Sequence, residues 1–179
     1  MQRRRTLIAA PLLVAALCTA IPAIALQESQ PKPSTHEFQI TLILARPGEL
    51  SLPEDLPGDA LNALDDVLRI LPYKAFEVID SGWVRTQQSA RVRLGEAGRY
   101  EALLQIRPPQ GNSGELLVSH FEVDMRDFKR DEEGRVYYGD PVELLATSFN
   151  IDIGETVVVG TSRLNGEDEA LIVLLKAVK

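Results

Sequence analysis

The sequence predicts an α+β fold, a mainly antiparallel β-sheet or sandwich with one principal helix, at about 59–71, after the first strand. Three observations predict it. From Lys74 onward, short segments of alternating apolar and polar residues follow one another, separated by turn residues. One stretch alone places leucines at helical spacing. The last segment is apolar on both faces, as a central strand between two layers would be.

Taken in order, Glu37 to Arg46 alternates. Phe38, Ile40, Leu42 and Leu44 share one face, opposite Gln39 and Thr41, and Pro47-Gly48 ends the strand. Ser51-Leu52-Pro53-Glu54 has the form of a capping box, broken by Pro57-Gly58, and Asp59 can cap a second start. Leu61, Leu64, Leu68 and Leu71 then make the apolar stripe of a helix that Pro72 stops. Lys74 to Asp80 reads as a strand, Ser81-Gly82 as a turn, and Trp83 to Gln87 as a continuation of the sheet. Ser89 to Leu94 and Tyr100 to Ile106 read as a hairpin bracketed by Gly95 and Gly98. Pro108 to Gly114 reads as a loop, Leu116 to Met125 as a long strand, and Asp127 to Gly134 as a charged loop leading to Tyr137-Tyr138. Leu144 to Ile153, Glu155 to Arg163 and Ala170 to Val178 complete the strands. The last two are expected to pair antiparallel through the turn at Asn165-Gly166.

Ahead of the domain stands an export signal. Arg3, Arg4 and Arg5 precede an apolar run to Leu26, and Ala23-Ile24-Ala25 supplies the small residues a signal peptidase reads. The expected organisation is a signal peptide at 1–25, a flexible proline-bearing linker at 26–36, and a single β-rich domain at 37–179 in the periplasm or secreted medium. Pro11 and Pro22 make the apolar run a poor spanning helix, so no stable membrane span is expected after cleavage. The formal charge is −7; cleavage after Ala25 removes three arginines and no acid, leaving −10. A chain so acidic is repelled by phosphate backbones, which disfavours nucleic acid as a partner. The one cysteine, Cys18, leaves with the leader, so burial rather than disulfides must hold the domain.

The residues that carry chemistry are sparse. His36 and His120 are the two histidines, far apart in sequence, and no Gly-x-Ser-x-Gly elbow is present. The acidic run Asp124, Asp127, Asp131, Glu132 and Glu133 lacks the alternate spacing of a calcium loop. Gly154 and Gly160 enclose a strand rather than a helix start, which a phosphate cradle would require. The expectation is therefore no catalytic residue, no metal and no cofactor. What remains is a candidate interaction surface. Arg85, Arg91, Arg93, Arg99 and Arg107 cluster in the middle of an acidic chain, as a docking face for an acidic partner would. Trp83, Tyr137 and Tyr138 are candidate interface anchors.

The segment Phe149-Asn150-Ile151-Asp152-Ile153-Gly154-Glu155-Thr156-Val157-Val158-Val159-Gly160-Thr161 resembles part of bacterial secretins, the outer-membrane pores of secretion and pilus systems. There an alternating strand leads through a Gly-x-Thr turn to an apolar strand ending in glycine. Such a pattern reads as a hairpin turning at Gly154. Ala170 to Leu175 resembles the apolar strand near the end of the secretin core. Secretins place a long membrane-inserting segment between these strands, whereas this chain has only Asn165 to Glu169. The resemblance implies a non-enzymatic envelope protein, a secretin-like accessory or assembly module with another envelope protein as partner. A soluble periplasmic ligand-binding or sensory domain is the alternative reading, and a carboxylate-dependent hydrolase the third.

Overall fold

The computed structural model describes residues 34–54, 56–107, 114–164 and 168–178. The expected leader, most of the expected linker, and the expected loop and turn at 108–113 and Asn165-Gly166 lie outside the described residues. The elements are β1 (His36–Arg46), α1 (Gly58–Ile70), β2 (Ala75–Thr86), β3 (Ser89–Leu94), β4 (Tyr100–Arg107), β5 (Glu115–Met125), β6 (Phe128–Arg130), β7 (Val136–Tyr138), β8 (Val142–Asp152), β9 (Thr156–Leu164) and β10 (Glu169–Val178). A 3₁₀ turn at Glu96–Gly98 joins β3 to β4. The mainly antiparallel sheets with one helix after the first strand are the fold that the alternation predicts.

Two four-stranded antiparallel sheets pack face to face. One has the order β2-β1-β10-β9 and carries α1 on its outer face; the other has the order β3-β4-β5-β8, and among the described residues no helix covers its outer face. Phe38, Ile40, Leu42 and Leu44 point between the sheets, where they meet Leu104, Val118, Phe121, Leu171 and Val173. The opposite rows of β1 and β10, among them Ile43, Ile172 and Leu174, bury themselves under Ala60 and Leu64 of α1. This second layer is why β10 is apolar on both faces. β10 lies between β1 and β9 and pairs antiparallel with each, so the expected C-terminal pair is present and its second strand is central.

Local chemistry explains the helix ends and several departures from the expected pattern. Leu71 is extended (φ −81°, ψ 144°), as the residue before Pro72 must be, and the helix stops there. At the other end Pro57 occupies the cap position with no side-chain cap, and Asp59 lies in the first turn. Ser51 does not open a helix: it forms a parallel bridge with Ala75, its N–H donating to the Lys74 carbonyl (3.0 Å) and its carbonyl accepting from Phe76 N–H (2.9 Å). Ser81-Gly82 is not a turn either. β2 runs straight through it, with a bulge opposite Leu42 and Ile43. A bulge in β5 between Val118 and Phe121 turns His120 outward, to the solvent face of the uncovered sheet.

One expectation is overturned at the level of topology. β8 and β9 do not form a hairpin; they belong to different sheets. The turn at Gly154 carries the chain from one sheet to the other, and its backbone docks on the end of β10, with Gly154 N–H donating to the Ala177 carbonyl (2.7 Å) and Ala177 N–H to Glu155 O (3.1 Å). A strand that changes sheets gives the same alternating pattern as a hairpin, so the sequence does not separate the two.

Candidate functional site: an arginine cleft on the uncovered sheet

β3 places Arg91 and Arg93 on the outer face, because Ala90, Val92 and Leu94 are drawn inward to the core. In the β3–β4 register Arg93 lies opposite Glu101 and Arg91 opposite Leu103. Both guanidinium groups reach the same carboxylate. Arg91 Nη1 donates to Glu101 Oε1 at 2.7 Å and Arg93 Nε to Oε2 at 3.1 Å. Arg126, just beyond β5, brings its Nη2 within 4.0 Å of Oε1. Glu101 is only 8% exposed, so three cations surround one nearly enclosed anion. Burial by itself pushes this carboxyl up, but Arg93, Arg126 and Arg91 outweigh it and hold it below the ordinary range. These residues, with Val92, line a cleft of about 340 Å³.

The small β6–β7 hairpin flanks the cleft. Tyr138 lies beneath Arg93, with the guanidinium carbon 6.0 Å from the ring centroid, and its hydroxyl donates to the carbonyl of Ala97 (2.5 Å). Asp127 pairs with Arg99 (3.1 Å) and Glu96 with Arg130 (3.4 Å), tying the base of the hairpin to the 3₁₀ turn. Asp131 shapes the hairpin's far end. It accepts from Arg135 Nε (2.7 Å), from two backbone N–H groups and from Tyr137 OH (3.2 Å), with the Arg135 bond holding its carboxyl low. Of the acidic run read from the sequence, Asp127, Asp131 and Glu133 are thus occupied with their own loop or with arginines.

Of the expected surface residues, Arg91, Arg93 and Tyr138 come together here. Tyr137 is near, turned to Asp131. Arg107 ends β4 opposite Leu117, on the other side of Gln105 and Leu103 from the cleft. Trp83 and Arg85 lie on the other sheet altogether, Trp83 opposite Gln39 and 60% exposed, Arg85 paired with Glu37. Sequence reading missed Glu101 and Arg126. Glu101 was legible in principle, since it sits at an outward position directly across the Gly95–Gly98 turn from Arg93; Arg126 lies past a strand end, where alternation carries no information.

Chemically, the cleft offers more donors than Glu101 can accept. Arg126 Nε is buried with no hydrogen-bond partner. A planar guanidinium pair of this kind recognises carboxylates, often bidentately. Further along the same face His120 Nε2 meets Glu122 (2.8 Å), and Asp124 is raised by burial and by the neighbouring Glu122. This row stands on one strand and lines neither the cleft nor the cavity beside Arg99. Among the described residues no group of three or more His, Cys, Asp or Glu is placed to hold a metal ion, and no helix is long and apolar enough to cross a membrane. In comparisons with known proteins, no family model, no curated protein and no solved structure matches this chain.

Proposed function

We propose that this chain is an exported, non-enzymatic docking module of the cell envelope, and that its arginine cleft receives an acidic segment of another envelope protein. The observation that carries the reading is the convergence of Arg91, Arg93 and Arg126 on the single carboxylate of Glu101, beside Tyr138. In a chain of net charge −7, such a local excess of positive charge is directional: it attracts an acidic partner to one face while the remainder repels it. Arginine stems and a half-exposed tyrosine also give a partner apolar area to cover, which free ions would not need. Ala23-Ile24-Ala25 supports export, and the secretin-like run from Phe149 supports an assembly or accessory role in the envelope.

A poly-glutamate peptide titrated calorimetrically at low salt tests the docking step. Binding is expected to weaken steeply with salt, and Arg91→Glu with Arg93→Glu to weaken it at least about tenfold, about 1.4 kcal/mol. Arg85→Glu, on the other sheet, is the control and should leave it unchanged. Equal losses in the two variants, or no binding by the wild type, would sink the reading. N-terminal sequencing of protein recovered outside the cytoplasm tests export; a start near Leu26 is expected, and an intact Met1 there would overturn it.

A further inference from the structure

At one end of the sandwich the two sheets part and leave a cavity of about 380 Å³, within the range of about 300–1,000 Å³ typical of small-molecule sites. Its place follows from the topology. β1 ends there with Leu44 and Arg46, β2 begins there with Glu77 to Ile79, β4 begins with Tyr100, and the β6–β7 hairpin brings Phe128 across. We infer that this cavity binds a small amphipathic carboxylate, its apolar chain against Leu44, Ile79 and Phe128 and its carboxylate on Arg99. The inference goes beyond the docking reading and does not depend on it.

The apolar part is carried by the lining. Leu44 and Tyr100 belong to the inter-sheet core, and Ile79 packs against it, so an alkyl chain entering here extends a core that already exists. The charge is carried by the state of the rim. Arg46 is held between two carboxylates, its Nε donating to Glu169 (2.7 Å) and its Nη1 to Glu77 (3.1 Å). Glu96 is paired with Arg130 (3.4 Å). Arg99 is different. Its Nη2 has one partner, Asp127, whose side chain is 82% exposed, and its Nε is buried with no hydrogen-bond partner. A guanidinium stacked 5.9 Å from the Tyr100 centroid and balanced by one solvated carboxylate keeps donors and charge to spare. The backbone that presents it is strained. Ala97, two residues earlier, has φ +52°, a conformation an L residue rarely adopts, and its carbonyl is held by the hydrogen bond from Tyr138.

The probe is octanoate, titrated into the full mature chain and followed by amide and methyl chemical shifts. Saturable binding at one per chain is expected, with shifts centred on Leu44, Ile79 and Phe128. Octanol, octylammonium and acetate, which lack either the charge, its sign or the chain, should each bind at least about tenfold more weakly. Arg99→Met should weaken octanoate about tenfold and leave octanol unaffected, and Arg99→Lys should restore part of the loss. Saturating poly-glutamate should leave octanoate binding unchanged; competition between them would put the carboxylate in the arginine cleft and overturn the assignment. Equal binding of octanoate and octylammonium, shifts centred elsewhere, or no saturation at millimolar octanoate would also overturn it. These ligand comparisons need only the wild type, so a variant that fails to fold leaves the test intact.

Discussion

Asp59 is the first acidic residue of α1, yet its side chain serves the sheet. Its carboxylate accepts from Lys176 Nζ (2.6 Å) on β10 and from Thr156 Oγ1 (2.7 Å) on β9, pinning the start of the helix to the strands beneath. The Lys176 bond, then the Thr156 bond, lower its pKa to about 2, against a smaller opposing effect of burial. A carboxyl depressed in the folded state contributes stability that is complete above its unfolded pKa, near 3.8, and is lost as pH falls toward about 2. Asp59→Asn should therefore be less stable than the wild type at pH 5 to 7, by under about 1 kcal/mol because the side chain is 38% exposed. The gap should close between pH 4 and 2. Urea midpoints across that range check it; a gap that stays constant to pH 2 would mean the carboxylate's charge is not what matters. Glu101 and Asp131 are depressed too, so the difference between the two curves, rather than either curve, isolates Asp59.

At the scale of elements, the two sheets meet along two seams, β2 beside β3 and β8 beside β9. Each seam has a glycine in one strand with a leucine from the other packed onto it. A Cβ built on Gly82 would lie 2.6 Å from Leu94 Cδ2, and one on Gly160 2.7 Å from Leu145 Cδ1. Both are closer than atoms pack, though the obstacle is the tip of a side chain that can turn. Gly82→Ala and Gly160→Ala should each cost about 1–3 kcal/mol. The losses should be less than additive with Leu94→Ala and Leu145→Ala respectively, since each pair shares one space. Thermal unfolding of the two double-mutant cycles reads this directly; full additivity would mean that these contacts do not set the seams. None of this was legible beforehand. Gly82 looked like a turn because a glycine beside serine in a sequence signals a bend as readily as a close approach, and only the third dimension distinguishes them. The Gly154 crossing failed to show for a related reason. Alternation reports which face is buried and is silent on which strand lies alongside.

For the whole molecule, two apolar layers share β10. Val173 points between the sheets and Leu174 under α1, so one strand supports both cores. Leu174→Ala should cost about 2–5 kcal/mol and Val173→Ala somewhat less, while Glu132→Ala at the exposed hairpin tip should have little effect. Chemical denaturation of the three variants tests it. Equal and small effects would mean that β10 is peripheral. This part of the fold was readable from sequence, because continuous apolarity over Leu171 to Leu175 admits few explanations other than burial on both sides. The binding surface was readable only in part. Composition singled out the arginines, but strands from both sheets lie close together in the sequence, so Arg85 and Arg91 looked like neighbours although they face away from each other on opposite sides of the sandwich.

β1 and β10 are hydrogen-bonded from Glu37 with Val178 to Ala45 with Ala170, so the centre of the helix-backed sheet joins the two regions farthest apart along the described chain. This has a consequence in time. Neither apolar layer can close until Glu169–Val178 has been made and has found β1, and a search over so long a loop is slow. Until then β1 has β2 alone beside it, and Phe38, Ile40 and Leu42 lack the neighbours that Leu171 and Val173 supply. The order of the strands alone sets that delay.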